Sequence, residues 1–222
     1  MVNLTKLREI NFRLTKKSLK ENTKRDILII QTIHSIEELL MIINKLSANL
    51  RERYSYYALY LCKNEDINVI IDGIIKKVKE DDMAIEMNDD DLDSIIDIGK
   101  EIKNVIALKE SQEKYLEKIM KELCPRTLEC ATALIGARLI DRAGSLKRLA
   151  ELPSSTIQVL GAEKALFRHI KTGAKSPKFG VIFAHPKVSE VFGKEKGKAA
   201  RHVASEISKM VKIDYFSKKA NN

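Results

Sequence analysis

The chain has 222 residues, of which 44% are hydrophobic and 32% are charged, with a formal net charge of +9. This balance supports a buried core and argues against a wholly disordered protein. Aromatic residues make up 5% of the chain and Trp is absent, which argues against a binding surface built on aromatic stacking. The sequence holds no apolar run of about 18 residues, as a membrane span needs, and no secretory signal. We therefore expect no membrane association and a cytoplasmic location, or a nuclear one in a eukaryote.

Charge is divided unevenly along the chain. Residues 123–222 contain 19 Lys and Arg against 8 Asp and Glu, a net charge of +11. Residues 1–122 contain the other 21 basic and 23 acidic residues, a net charge of −2. A strongly cationic half is expected to meet a polyanion. The pattern therefore favours nucleic acid as a partner of the C-terminal half.

The residue types that usually carry catalysis or metal binding show no recognisable spacing. The three cysteines form no Cys-x-x-Cys pair, and the four histidines form no His-Glu-x-x-His motif. The glycine motifs of nucleotide-binding loops and the Gly-x-Ser-x-Gly motif of hydrolases are also absent from the sequence. We therefore expect a non-enzymatic protein with no cofactor and no metal ion.

Hydrophobic spacing predicts long helices in the first half. Residues 1–22 favour a short amphipathic helix, with Leu4, Leu7 and Ile10 on one side. Residues 23–61 then place apolar side chains in alternating steps of four and three, the heptad spacing of a coiled coil. The predicted seam consists of Ile29, Ile33, Ile36, Leu40, Ile43, Ser47, Leu50, Tyr54, Tyr57 and Leu61.

A second long helix is predicted to return after an acidic tip. Residues 64–80 favour a further helix, and Glu80–Asp82 and Asp89–Asp91 favour a solvated turn in which Asn88 or Asp89 caps the next helix. Two long heptad helices joined by a compact tip predict an antiparallel coiled-coil hairpin. The second helix spans residues 91–123, with a seam at Ile95, Ile98, Ile102, Val105, Lys109, Gln112, Leu116, Ile119 and Leu123.

More apolar side chains lie outside the two seams than a two-helix hairpin can cover. They are Ile27, Ile30, Leu39, Ile42, Ile106 and Leu108. An exposed apolar surface of this size indicates an interaction site. We expect it to contact the short helices, the other domain or a second copy, and dimerisation is the leading hypothesis.

Pro125 marks a change in organisation. It ends the preceding helix and restricts the backbone of Cys124, and glycines punctuate the shorter helical segments that follow. We expect an all-α protein with a coiled-coil helical domain at residues 1–123 and a compact helical domain at residues 124–222.

Cationic residues of the second domain fall into three groups. Ser155 and Gln158 have the spacing of a capping box, so a helix is predicted to begin at Ser155. A second helix is predicted over residues 162–169, after Gly161. The final helix has one apolar and one cationic face, a candidate phosphate-binding surface. The candidate nucleic-acid ligands are Lys164 and Arg168 on the second of these helices, Lys171, Lys175 and Lys178 in the loop 171–180, His169 and His185 on either side of that loop, and Lys198, Arg201 and Lys209 on the final helix.

Four stretches resemble the signature of the Nop domain, which is found in core scaffold proteins of box C/D ribonucleoproteins and in a spliceosomal relative. They are Gly136-Ala-Arg-Leu-Ile140, Leu152-Pro-Ser-Ser-Thr-Ile157-Gln158, Gly161-Ala-Glu-Lys-Ala-Leu-Phe167 and Pro177-Lys-Phe-Gly-Val-Ile-Phe-Ala-His-Pro186. The resemblance covers residues 124–216, and a weaker one at residues 25–31 resembles the family's entry into its coiled coil.

The resemblance implies an RNA-binding scaffold of archaeal or eukaryotic type. Such domains recognise a kink-turn RNA together with a small ribosomal-protein-like partner that already holds it. By motif position it implies partner contacts at Gln158, Glu163 and Phe167 and RNA contacts at Lys164, Arg168 and the loop lysines. It also implies that the coiled coil pairs two copies, or this chain with a related Nop protein.

Two departures from the family pattern lead to further expectations. The family's fibrillarin-binding N-terminal domain has no counterpart before the coiled coil, so fibrillarin is not expected as a partner of this chain alone. Some relatives have a histidine four residues after the glycine that corresponds to Gly180, where this chain has Ala184 followed by His185. The role of that histidine is therefore left open.

Two other classes of function remain open at this point. Residues 149–166 superficially resemble a helix-hairpin-helix that grips duplex DNA, although they lack its paired glycines. A coiled-coil adaptor without a nucleic-acid role is the other alternative, but it leaves the basic face of the final helix unexplained.

Overall fold

The computed structural model describes residues 4–22, 25–79, 84–193 and 195–220. Within these ranges the chain forms helices and no strand, which confirms the all-α fold class. The predicted acidic run Glu80–Asp82 lies outside the described residues. The helices are α1 (Leu4–Asn22), α2 (Asp26–Ser55), α3 (Leu59–Cys62), α4 (Ile67–Ile75), α5 (Asp89–Leu123), α6 (Pro125–Ala131), α7 (Ala133–Ala143), α8 (Leu146–Glu151), α9 (Ser154–Val159), α10 (Glu163–Thr172), a 3₁₀ helix (Val181–Ala184), α11 (Pro186–Ser189) and α12 (Glu195–Ala220).

The chain divides into two compact units. Unit 1 contains residues 1–33 and 116–222, and unit 2 contains residues 34–115. The ends of the two long helices therefore belong with the basic segment.

Unit 2 has a core built from α2, α3, α4 and α5. Leu50 and Tyr54 near the end of α2 share this core with Ile95 and Ile102 of α5. Nearer the start of α2, Leu39 lies beside Leu108 in a common groove. Contacts in this order fit two helices that run in opposite directions. The coiled-coil packing of the two seams stays a prediction.

Helix α2 ends at Ser55, six residues before the predicted end at Leu61. Ala58 is fully buried with non-helical backbone angles, φ −146° and ψ 87°, and its N–H donates to the carbonyl of Tyr54 at 2.9 Å. The Tyr54 hydroxyl donates to the carbonyl of Val78 at 2.9 Å. Contacts with residues after α4 thus fold the chain back, and Leu61 does not continue the α2 seam.

Most of the predicted α2 seam is buried, but Leu40 is not. Its side chain is 39% exposed, whereas Ile36 and Ile43 on either side are buried. Leu40 projects from the same side of the helix as these buried neighbours, so the apolar spacing alone does not account for its exposure. The prediction that Leu40 belongs to the hairpin core is therefore wrong.

Asn88 is the N-cap residue of α5, and it is one of the two residues that were predicted for this role. Its Oδ1 accepts from the N–H of Asp91 at 2.8 Å, and the Asp91 carboxylate accepts from the N–H of Asn88 at 3.4 Å. The acidic first turn Asp89–Asp91 also complements the positive end of the helix dipole. Lys77, from the segment after α4, also pairs with Asp89 at 2.9 Å, so local and non-local contacts both hold the start of this helix.

Unit 1 is organised around α12, which packs against α6, α8, α9, α11 and the 3₁₀ helix. Three of the four residues predicted for its apolar stripe are buried, Ala200, Val203 and Ile207, whereas the fourth, Met210, is only half-buried and Val211 next to it is fully buried. The other face of α12 is thereby left to solvent, and this determines where its cations lie.

Two buried carboxylates join distant segments of unit 1. Asp214 of α12 accepts from the N–H of Thr127 at 2.8 Å and from its hydroxyl at 2.7 Å, at the start of α6. Asp26 accepts from the N–H of Leu146, at the start of α8, at 3.0 Å. Each carboxylate satisfies N–H groups that the first turn of a helix leaves unpaired.

Across the residues that the structure describes, no helix is long and apolar enough to cross a membrane.

Candidate nucleic-acid interface

Helix α10 presents both cations and apolar side chains to solvent. None of its residues is fully buried. Phe167 is 69% exposed and Ile170 is 71% exposed. Large apolar side chains at spacing i, i+3 lie on one side of a helix. The cations Lys164, Arg168 and Lys171 are also exposed, and Lys171, which was predicted in the following loop, lies in the last turn of this helix.

The turn before α10 is closed by Glu163. Gly161 adopts a left-handed conformation with φ of 92°, and its N–H donates to Oε1 of Glu163 at 2.7 Å. This carboxylate therefore occupies the N–H of Gly161, which is not left for an external anion. The negative charge beside the turn also disfavours a phosphate there.

Gln158 holds the basic loop against α9. Its side-chain amide donates to the carbonyl of Lys178 at 2.6 Å, and its own carbonyl accepts from the N–H of Gly180 at 2.9 Å. The predicted capping box is wrong, since α9 begins at Ser154 and its N-cap residue is Pro153. The amide that should have capped the helix positions the loop instead.

Gly180 is required by the close approach of this loop to α9. A Cβ at this position would lie 2.0 Å from the carbonyl oxygen of Leu160, which is a backbone atom that cannot rotate away. The N–H of Val181 donates to that same carbonyl at 2.8 Å. The loop is thus attached by backbone hydrogen bonds, with Lys175 and Lys178 exposed.

The basic loop is followed by the 3₁₀ helix Val181–Ala184. Ile182 is fully buried, whereas Phe183 is partly exposed. The Phe183 ring stacks on Phe179, with 5.0 Å between centroids and an interplanar angle of 23°. Ile182 therefore anchors this segment, and Phe183 belongs to the surface.

His185 is not part of the surface. It is 5% exposed, and its Nδ1 accepts from the N–H of Lys187 at 3.2 Å, which caps α11. Its Nε2 lies 3.0 Å from the carbonyl of Cys130 and donates to it, because Nδ1 is the acceptor. With both ring nitrogens bonded inside unit 1, His185 has no group left for RNA, contrary to the prediction from its position.

The His169 ring also bonds to a backbone carbonyl, but it is less buried than His185. Its Nδ1 hydrogen-bonds with the carbonyl of Ala174, just after the left-handed Gly173 that ends α10. The ring is half-buried. It secures the start of the basic loop.

The cationic face predicted on α12 is present. Lys198, Arg201 and Lys209 are all exposed. Lys198 pairs with Glu195 at 2.9 Å, a solvent-exposed contact of small energy. Lys196 was not among the predicted ligands, and its Nζ lies 4.4 Å from the centre of the Phe183 ring. A contact between residues 13 positions apart leaves no periodic signal.

Some of the predicted site residues contact one another, and others lie apart. Gln158 and Lys178 meet where the loop attaches to α9. The Lys178 side chain also passes beside Gly197 in the first turn of α12, 3.7 Å from where a Cβ would lie. The cations of α10 form a separate group on their own helix. Among the described residues no cluster of three His, Cys, Asp or Glu could hold a metal ion.

Three comparisons relate this chain to known proteins. The Nop family model, described as "snoRNA binding domain, fibrillarin", matches residues 17–222. An uncharacterised NOP5 family protein of Methanocaldococcus jannaschii is 35% identical over 91% of this chain and 55% of its own length. Nucleolar protein 58 of Schizosaccharomyces pombe is 32% identical over 88% of this chain and 44% of its own length. The chain thus spans about half the length of these relatives.

A solved structure has a similar fold. It is the crystal structure of a fibrillarin/Nop5p complex, which matches with a TM-score of 0.58 and 27% identity over 96% of this chain and 70% of the other. This neighbour overturns the expectation that fibrillarin is not a partner. That expectation depended on where the chain begins, whereas the similar protein was crystallised with fibrillarin.

The family match covers more than half of the chain, and two relatives are more than 30% identical across most of it. The signature stretches occupy α7, α9, α10 and the loop with its 3₁₀ helix. The chain therefore belongs to the Nop family.

Proposed function

We propose that this chain is a non-enzymatic RNA-binding scaffold of a box C/D-type ribonucleoprotein. It recognises a kink-turn RNA together with the small ribosomal-protein-like protein bound to that RNA. The observation that carries the proposal is α10, where exposed Phe167 and Ile170 accompany exposed Lys164, Arg168 and Lys171. Apolar side chains suit a protein surface and cations suit a phosphate backbone.

Charge alone would give binding without discrimination. The exposed Lys198, Arg201 and Lys209 of α12 favour any phosphate backbone and make affinity salt-dependent. Specificity for one RNA shape requires a second component that holds that shape. We therefore infer composite recognition, in which the RNA contacts the cations and the partner protein covers Phe167 and Ile170.

The test is a gel-shift series with three targets: a kink-turn RNA, the same RNA with its kink-turn-binding protein, and duplex DNA of equal length. We expect weak binding to the RNA alone and tighter binding to the RNA–protein complex. Equal affinity for all three targets would contradict the proposal and favour a nonspecific DNA-binding module.

Two substitutions separate the two surfaces. Phe167→Ala should remove most of the gain from the partner protein and leave binding to RNA alone unchanged. Phe12→Ala is the matched control, because Phe12 is equally exposed on α1, outside the family match. Arg201→Ala should weaken binding to both RNA targets and reduce the salt slope by about one.

The proposed assembly also includes further protein contacts. A groove of about 330 Å³ in unit 2, lined by Leu39, Ile42 and Leu108, suits a second copy of the chain or a related Nop protein. Fibrillarin is proposed as a component because the similar Nop5p structure contains it. The site of action is the nucleolus in a eukaryote, as for the nucleolar relative, or the cytoplasm in an archaeon.

A further inference from the structure

One cation of the basic surface is held in place by an aromatic ring. The Nζ of Lys196 lies 4.4 Å from the centre of the Phe183 ring, within the range of a cation–π contact. Phe183 is itself positioned by stacking on Phe179 and by the fully buried Ile182 beside it. Lys196 is half-buried, whereas Lys198 two residues later is exposed. The ring therefore restricts the positions that the ammonium can occupy.

The charge of Lys196 is also uncompensated. Within the ranges that the structure describes, no carboxylate forms an ion pair with it, whereas Lys198 pairs with Glu195 and Lys187 pairs with Glu206. The side chain of Lys178 lies alongside the adjacent Gly197. Two cations from separate segments thus converge at the first turn of α12.

We propose that Lys196 is a pre-oriented ligand for an RNA phosphate and that Phe183 is its positioning residue. The inference rests on the proposed function and adds one contact to it. A ring face attracts the ammonium without using its three N–H donors, so these donors remain available to phosphate oxygens. A lysine that is already restrained loses less conformational entropy when it binds than a free surface lysine does.

The experiment measures affinity for a box C/D kink-turn RNA carrying its kink-turn-binding protein, across a series of salt concentrations. Lys196→Ala should weaken binding about tenfold, as expected for a charged hydrogen bond, and should lower the salt slope by about one. Phe183→Leu should weaken binding about threefold, in the range of an exposed cation–π contact, because the cation is retained but no longer oriented. Phe183→Tyr keeps the ring face and should bind like the wild type.

Two controls separate this contact from general effects of charge and folding. Lys187→Ala removes an exposed lysine that is already paired, and should leave affinity and slope unchanged. Phe183→Leu in the Lys196→Ala background should cause no further loss, because the ring acts through the lysine. Thermal unfolding of each variant checks that the fold is intact, and Lys196→Gln repeats the test without truncating the side chain.

The experiment distinguishes failure of this inference from failure of the proposed function. If the wild type does not prefer the RNA–protein complex over duplex DNA, the proposed function fails. If it does, and Lys196→Ala leaves affinity and slope unchanged, the phosphate contact is overturned. Losses from Phe183→Leu and Lys196→Ala that add independently would overturn the positioning role of Phe183.

Discussion

Asp214 lies buried in α12 and takes the place of a capping residue for a helix 87 positions earlier. Its carboxylate accepts three hydrogen bonds from α6, two from the N–H groups of Arg126 and Thr127 and one from the Thr127 hydroxyl. The residue before α6, Cys124, provides no side-chain cap. The start of the compact helical segment therefore depends on a carboxylate from its final helix.

Asp214→Ala should lower the free energy of unfolding by about 3 kcal/mol, because it leaves buried donors without a partner. Urea denaturation followed by circular dichroism measures the change. Glu190→Ala is the control, since Glu190 is an exposed carboxylate in the same unit, and it should change stability by less than about 0.5 kcal/mol. Equal effects of the two substitutions would contradict the capping role.

His185 provides a second test at the residue scale. It bonds to the backbone at both ring nitrogens, so His185→Ala should cost about 2 kcal/mol of stability through unsatisfied backbone groups and a cavity. At a temperature where the variant stays folded, its salt slope for RNA binding should equal that of the wild type. If the variant instead shows a reduced salt slope and unchanged stability, His185 contacts RNA and its structural role is contradicted.

At the scale of elements, the attachment of the basic loop to α9 decides where Lys175 and Lys178 are presented. The loop approaches so closely that only glycine fits at position 180. Because φ at Gly180 is −115°, the requirement comes from space and not from a left-handed backbone.

Gly180→Ala should therefore displace the loop and destabilise unit 1 by about 3 kcal/mol or more, the upper range of overpacking. Gly197→Ala is the matched control, because its Cβ would meet only a flexible lysine atom at 3.7 Å. Alanine also favours a helix over glycine by up to about 1 kcal/mol. Chemical denaturation should therefore show that Gly180→Ala lowers the free energy of unfolding and that Gly197→Ala raises it. A neutral Gly180→Ala would disprove the tight attachment.

At the scale of the whole molecule, apolar residues of unit 2 remain exposed along the long helices. Ile42 and Leu108 line one groove and are about half exposed. Leu40, which the heptad pattern assigned to the core, is exposed too. A second copy of the chain is the proposed occupant of this exposed apolar surface.

Light scattering should therefore give a mass near twice the chain mass of 25.2 kDa. Ile42→Asp should shift the equilibrium towards monomer, because an unpaired charge would have to be desolvated at the interface. Val69→Asp, at an equally exposed position of α4, should leave the mass unchanged. A monomer at every concentration of the wild type would contradict dimerisation.

The long helices, the helix cap and the distribution of charge follow from sequence patterns that act over a few residues. Periodic apolar spacing predicted the long helices and the apolar stripe of α12, and Asn88 caps α5 as local side-chain chemistry predicted. Charge composition placed the cations in the C-terminal half, and the signature stretches pointed to the Nop family. These features depend on hydrogen bonds and side-chain spacing inside single elements, which the sequence states directly.

Tertiary structure decided the features that depend on residues far apart in the chain. Near the end of α2, Tyr54 bonds to the carbonyl of Val78, and the buried His185 bonds to the carbonyl of Cys130. Lys196 meets Phe183 only because the 3₁₀ helix packs against α12. Helical periodicity shows which face of an element is apolar, but not which distant residue will lie against it. The element boundaries and the contacts between distant residues therefore required the folded chain.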